Sequence, residues 1–217
     1  MAPRLLVVTD TALMGDDPVG AVRELFAAHE RARPEGAARW MLQWRDKSTP
    51  TRENYARLLA LGVAPVPIVV NDRVDLALAV GHGVHLTETS LPTRVARSLL
   101  PAGALVGRST HSLDAALRAE AEGADYVVFG PIFDTPSKRA YGAPLGLDAL
   151  REAAQELAIP VLAIGGIGLD EIPSCLASGA HGVAMIRALW SADDRPATLA
   201  RLLAEIDASL PGSSLPS

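Results

Sequence analysis

Eight short apolar runs punctuate the chain: residues 5–9 (LLVVT), 40–44 (WMLQW), 67–70 (PIVV), 83–86 (GVHL), 104–109 (ALVGRS), 126–130 (YVVFG), 161–166 (VLAIGG) and 182–186 (GVAMI). Most are apolar at consecutive positions, as expected of parallel strands covered on both faces. Helix-length amphipathic segments lie between them, among them PVGAVRELFAAHER, TRENYARLLALG, SLDAALRAEAEGA, LDALREAAQELA and RPATLARLLAEIDASL. Ser112 and Asp114 open one of these and Gly123 closes it, which are start and stop signals for a helix. Strands alternating with helices in this way predict an α/β fold, a single (β/α)8 TIM barrel, with a doubly wound open sheet as the alternative. The barrel domain is expected to span residues 1–210, followed by a disordered tail over 211–217 (PGSSLPS). The stretch HERARPEGAARW reads as a polar connector within that domain.

Composition narrows the function classes. With 217 residues, 49% hydrophobic and 21% charged, the chain is long enough and apolar enough for a substantial core. A net charge of −5 argues against a nucleic-acid surface. The single cysteine, Cys175, permits no internal disulfide and carries no metal-ligand spacing, so a reducing, cytoplasmic setting is expected. The start MAPRLLVVTD has too short an apolar run for a signal peptide or a membrane span.

Barrel enzymes place their chemistry at the C-terminal ends of the strands, so polar residues there carry weight. Gln43, Arg45 and Lys47 alternate at the end of the second run, which aims an amide and two cations the same way. Such a set suits a phosphate or pyrophosphate, and the bland alternative is a strand running out into a solvated loop. Asn71 and Asp72 follow the third run and suit a magnesium site, a helix N-cap, or both at once, one of them capping while Asp72 faces the site; Asp75 reads as a solvated first-turn carboxylate. Ser109 and His111 follow the fifth run, where His111 is a proton-transfer candidate or a structural rim histidine. His82, His85 and His181 rank lower, because nothing polar accompanies them in sequence. Residues 129–146 form the longest irregular segment, with Thr135, Ser137, Lys138 and Arg139 clustered and Gly146 able to expose an N–H. Gly165, Gly166 and Gly168 after the seventh run, and the turn at Met185–Arg187 after the eighth, suit a backbone phosphate site. Two anion sites imply one bisphosphate or two phosphorylated substrates.

The segments QWRDKS, VNDRVDLALAVGHGVHL, STHSLDAALRAEAEGADYVVFGPIFDTPSK, PLGL and VLAIGGI resemble the superfamily of thiamin phosphate synthases and TenI-type thiazole tautomerases, over roughly residues 5 to 190. The resemblance implies a (β/α)8 barrel enzyme of thiamin biosynthesis that couples hydroxymethylpyrimidine diphosphate with thiazole phosphate, giving thiamin phosphate and pyrophosphate. Carried over residue by residue, it puts Gln43, Arg45, Lys47, Ser109 and Lys138 on the pyrimidine diphosphate, with Asn71 beside it and Asp72 on Mg2+. It puts Thr135, Ser137, Gly146 and Gly166 on the thiazole phosphate, completed by Ile186 and Arg187. Arg45, Lys138 and His111 are then the candidate catalytic groups.

There are departures. Ser90 stands where the synthases carry a second magnesium-binding Asp, which leaves Glu88 as the replacement ligand. Arg108 within GRSTHS looks more like the tautomerase branch, and Arg187 replaces a small residue. The alternatives are a tautomerase with His111 as its acid or base, a non-catalytic thiazole or thiamin phosphate-binding regulator, and an unrelated phosphate-binding barrel isomerase. Phosphorylated small molecules are the expected partners, without nucleic acid or membrane, and the resemblance allows a homodimer.

Overall fold

The structure, a computed structural model, describes residues 3–32, 39–135 and 143–210. The strands are β1 (Leu5–Val8), β2 (Trp40–Trp44), β3 (Ile68–Asn71), β4 (Gly83–Leu86), β5 (Val106–Thr110), β6 (Tyr126–Phe129), β7 (Val161–Ile164) and β8 (Gly182–Met185). They pair in chain order, all parallel, and β8 returns to β1 with Leu5 opposite Val183, so the sheet is a closed barrel and the open-sheet alternative falls away. The helices are α1 (Thr11–Met14), α2 (Pro18–Ala32), α3 (Thr51–Ala60), α4 (Val74–Val80), α5 (Thr93–Leu99), α6 (Leu113–Ala121), α7 (Gly146–Glu156), α8 (Ile172–Ala177), α9 (Arg187–Trp190) and α10 (Arg195–Ala208). Each predicted strand is present within one or two residues. The four-residue helices α1 and α9 have no periodic signature in the sequence and are additions of the structure. No described helix is long and apolar enough to cross a membrane.

Period-2 alternation splits the strand residues into two layers. Leu5, Val7, Trp40, Leu42, Trp44, Val84 and Val106 face outward and pack under the helices. Leu6, Val8, Met41, Val69, Tyr126, Val128, Leu162 and Ala184 face inward and fill the barrel. Both layers exclude water, which explains why the runs are apolar at successive positions. Full burial of one such aliphatic side chain contributes roughly 1.5–3 kcal/mol.

The inner layer is not apolar all round. β4 and β5 give it no buried apolar side chain and supply Gly83, His85, Gly107 and Ser109 instead, while the inward-facing series of β2 and β3 end in Gln43 and Asn71. One side of the barrel interior is therefore hydrocarbon and the other a polar sector.

The three tryptophans tie the helical coat to the strands. Trp44 Nε1 donates to buried Asn54 Oδ1 of α3 at 2.6 Å, and Trp40 Nε1 donates to His29 Nδ1 of α2 at 3.1 Å. Trp190 Nε1 donates to the Val8 carbonyl at 2.7 Å, which seats α9 over the end of β1. Each buried indole N–H thus has an acceptor, as a large polar-tipped aromatic requires. Ser112 caps α6 through the Ala115 N–H, as the sequence predicts.

Gly107 marks the tightest point of the polar sector. A Cβ there would lie 2.2 Å from Tyr126 Cζ and 2.6 Å from His85 Nδ1. Gly107→Ala is expected to cost about 1–3 kcal/mol through overpacking, read as a lower denaturant midpoint. An unchanged midpoint would show that these rings do not crowd β5.

Candidate active site at the barrel mouth

The polar sector opens at the C-terminal ends of β2 to β5, and each polar group there is held by a neighbouring element. Gln43 is buried on the inner wall and its Nε2 donates to Asn71 Oδ1 at 2.8 Å, a bond between the ends of β2 and β3. Arg45 follows directly on β2, one residue past Trp44. Its backbone is clasped by Thr9: the Arg45 N–H donates to Thr9 Oγ1 at 2.6 Å, and that hydroxyl donates to the Arg45 carbonyl at 3.0 Å. Its guanidinium lies 3.6 Å from Asp10 Oδ2, with both side chains about a third exposed or less.

Asp46 fixes the loop that carries Arg45 and Lys47. Its side chain is fully buried, accepts from the Ser48 and Thr49 N–H groups at 3.3 and 3.1 Å, and pairs with Arg57 at 2.9 Å. Burial pushes its carboxyl up, but the hydrogen bonds from Thr49 and Ser48 and the Arg57 charge outweigh this and hold it below the ordinary value. Lys47 is exposed on this loop.

The N-cap reading of Asn71 and Asp72 does not hold. The residue before α4 is Arg73, which makes no side-chain cap bond and instead pairs with Asp75. Asp72 adopts the left-handed conformation (φ 58°), and its N–H donates to the His85 carbonyl at 2.8 Å. Asp and Asn reach this region more readily than other non-glycine residues. The turn is closed by Ser90, whose hydroxyl bonds Asp72 Oδ1 and accepts from the Thr87 N–H at 2.7 Å. Glu88 points elsewhere: its Oε2 lies 3.9 Å from His111 Nε2. Its carbonyl accepts from Arg108 at 3.0 Å, and Arg108 also donates to the Leu91 carbonyl at 2.7 Å. Arg108 thus staples the β4–α5 loop from outside the barrel.

His111 Nδ1 bonds the Gly130 carbonyl. A carbonyl only accepts, so Nδ1 carries a hydrogen, and Nε2 is the nitrogen turned toward Glu88. Ser109 reaches inward from β5, and its Oγ lies 2.9 Å from His85 Nε2. His85 has little functional weight in the sequence, because its neighbours in β4 are apolar. Its partners, Ser109 and Tyr126, are 24 and 41 residues away, so only the period-2 pattern of β4 could have shown it facing inward.

The second group of candidates gathers after β6 and β7. The Ile132 and Phe133 N–H groups donate to the Ile164 and Gly165 carbonyls at 2.8 and 3.0 Å, which zips the two loops together. Gly166 has φ 66°, and a Cβ on it would lie 2.7 Å from both the Asp134 carbonyl and Phe133 Cβ, so glycine is required. Gly146 joins the same cluster, but its N–H is donated to the Ile132 carbonyl at 3.1 Å. The Gly168 N–H is likewise taken by Glu171 at 2.8 Å. Thr135 ends the described segment. Ser137, Lys138 and Arg139 lie outside the described residues, as does the tail at 211–217. Ile186 and the exposed Arg187 open α9 beside β8.

A closed barrel whose polar side chains converge on the C-terminal mouth defines a (β/α)8 barrel enzyme. Known proteins narrow this further. The chain belongs to the thiamine monophosphate synthase (TMP-TENI) family, whose model matches residues 5–189. It is 44% identical over 198 residues to the thiamine-phosphate synthase of Anaeromyxobacter dehalogenans, covering 89% of this chain and 85% of that one. It is 41% identical over 206 residues to the thiamine-phosphate synthase of Chloroflexus aurantiacus, covering 93% and 91%. Among solved structures it resembles the thiamine phosphate pyrophosphorylase of Pyrococcus furiosus, with a TM-score of 0.78, 32% identity, and 96% and 97% of the two chains covered.

Asp46→Asn is expected to destabilise the fold by about 1–3 kcal/mol at neutral pH, since it removes the charge and one of the two oxygens that meet Arg57 and the Ser48 and Thr49 N–H groups. The folded pKa lies below the ordinary 3.8. The carboxylate's contribution is therefore present above that value and lost as pH falls through the folded pKa. Denaturation of wild type and variant should converge in stability on acidification; a gap that persists unchanged at acid pH would refute the role.

Proposed function

We propose that this chain is a thiamine-phosphate synthase, a transferase that joins a hydroxymethylpyrimidine diphosphate to a thiazole phosphate. In this reaction the bond from the pyrimidine methylene carbon to the diphosphate oxygen breaks, and its electron pair leaves with pyrophosphate. The thiazole nitrogen lone pair forms the new C–N bond, giving thiamin phosphate. The observation that carries the reading is the convergence of Gln43, Arg45, Asn71 and Ser109 on the polar sector, each pre-held by a neighbouring group, in a chain whose relatives carry that activity.

The leaving group is a polyanion, so its departure is eased by cations already in place. Arg45 offers its guanidinium fork and Lys47 a point charge, joined by Lys138, with Gln43 and Ser109 as hydrogen-bonding groups. Asn71 sits beside the pyrimidine. Thr135, Ser137, Gly146 and Gly166, with the backbone near Ile186 and Arg187, take the thiazole phosphate. Because the Gly146 N–H is already donated, that residue serves by close approach rather than as a donor. The reading goes with phosphorylated small-molecule substrates and a cytoplasmic setting.

Among the described residues no group of three or more His, Cys, Asp or Glu could hold a metal. Mg2+ is commonly bound through one or two carboxylates, with waters and substrate phosphates completing its shell. Asp72, with the Ser90 hydroxyl on it, fits an ion held largely by the diphosphate. When bound there, the ion neutralises charge developing on the leaving pyrophosphate.

A second reading has a specific observation behind it: His111 is held through Nδ1 with Nε2 toward Glu88, an arrangement suited to the proton transfers of a tautomerase.

The deciding assay mixes the protein with the pyrimidine diphosphate, the thiazole phosphate and Mg2+ and follows thiamin phosphate. Product at an enzymatic rate is expected. Its absence, with thiazole phosphate still bound, would transfer the assignment to the tautomerase. Arg45→Ala should lower coupling roughly 10²–10³-fold while thiazole phosphate binding stays near wild type; undiminished coupling would remove Arg45 from the diphosphate site. His111→Ala should leave coupling within about tenfold of wild type, since the coupling chemistry needs no proton transfer at that position. A larger loss would put His111 into the synthase mechanism.

A further inference from the structure

Inside the polar sector three side chains form a line: His85 Nδ1 lies 3.0 Å from Tyr126 Oη, and His85 Nε2 lies 2.9 Å from Ser109 Oγ. The first two are 1% and 0% exposed, whereas Ser109 is half-buried at the mouth. We propose that Tyr126 and His85 are positioning residues that turn the Ser109 hydroxyl into an outward hydrogen-bond donor, so that the substrate atom at Ser109 is an acceptor such as a diphosphate oxygen. The choice of ligand rests on the synthase reading above; the hydrogen-bond direction does not.

The direction follows from satisfying the buried protons. His85 is buried and its two ring nitrogens meet hydroxyls, so a doubly protonated ring would donate to both and strand the phenol hydrogen; the neutral ring has one donor and one acceptor nitrogen. Burial and then Asp125 push the Tyr126 phenol up, so it keeps its proton. Among the described residues, His85 Nδ1 is the hydrogen-bond partner of Tyr126 Oη, and His85 Nε2 is that of Ser109 Oγ. If Ser109 donated to Nε2, Nδ1 would carry the imidazole proton and the phenol hydrogen would be stranded in the barrel interior, at a cost of a buried unsatisfied donor. In the other order Tyr126 donates to Nδ1, Nε2–H donates to Ser109 Oγ, and the only hydrogen left over is on Ser109. That hydrogen sits where water or a ligand can accept it. Gly107 belongs to the device, since a Cβ there would collide with both rings. Hydrogen bonds in such a chain polarise one another, which strengthens the terminal donor.

The test is nitrogen-15 NMR of the histidines in the full chain, with His85 assigned by His85→Gln. The wild type should show His85 as the Nε2–H tautomer with a hydrogen-bonded Nδ1, and Tyr126→Phe should move Nδ1 toward an unbonded lone pair. Inorganic pyrophosphate with Mg2+ should perturb His85 in the wild type and not in Ser109→Ala. In the coupling assay Tyr126→Phe should lower kcat/KM for the diphosphate substrate roughly 3- to 10-fold and leave the KM for thiazole phosphate unchanged, and His85→Gln should retain more activity than His85→Leu. An Nδ1–H tautomer in the wild type overturns the proposal whatever the activity, as does a kcat/KM unchanged in both Tyr126→Phe and His85→Leu. If coupling is absent but the tautomer and the pyrophosphate response are as expected, the activity reading fails and the positioning role stands.

Discussion

Closing eight short parallel strands on themselves leaves neither a sheet edge nor a solvated face. Every strand side chain must enter the barrel or pack under the helices, and a polar one that enters must find its partner inside. This constraint organises the rest of the molecule. Leu6, Val8, Met41, Val69, Val128, Leu162 and Ala184 satisfy it with hydrocarbon. Gln43, Asn71, His85, Tyr126 and Ser109 satisfy it by bonding one another across neighbouring strands.

The same requirement that keeps the interior stable also builds the site. A polar group held from a second element cannot wander, and its reorganisation on meeting a charged ligand is correspondingly small. Arg45 is held by Thr9 and Asp10, Asp72 by Ser90, and His111 by Gly130. Asp46, Arg108 and Trp190 act one layer further out: they hold the loops after β2 and β4 and the helix after β8. Each touches the backbone or the loop rather than the mouth, and so contributes through what it steadies.

Strands and their order were legible because double burial forces continuous apolar runs, a pattern few other elements share. Ser112 was legible as a cap because its chemistry is local. What escaped the sequence depended on contacts made across the barrel. Asn71 and Asp72 look like cap residues by type, yet the turn they occupy is set by the His85 carbonyl and the Ser90 hydroxyl on the next strand and loop. His85 seemed isolated because its partners come from β5 and β6. Gly146 and Gly168 are glycines at plausible phosphate positions, but their N–H groups are donated to Ile132 and Glu171, which spacing alone does not reveal.

Ser90 is the residue on which the mouth's electrostatics turn. Two carboxylates facing each other across the β3 and β4 turns would repel, and a cation would be needed between them to hold the loops in register. A hydroxyl facing Asp72 attracts it directly, and it also ties Thr87 into the same turn. The β3 and β4 turns are thereby joined by hydrogen bonds between neutral and charged groups, with no second carboxylate set against Asp72. The Thr9 and Asp46 contacts steady the loop that carries Arg45 and Lys47 in the same way, through partners already in place within the chain.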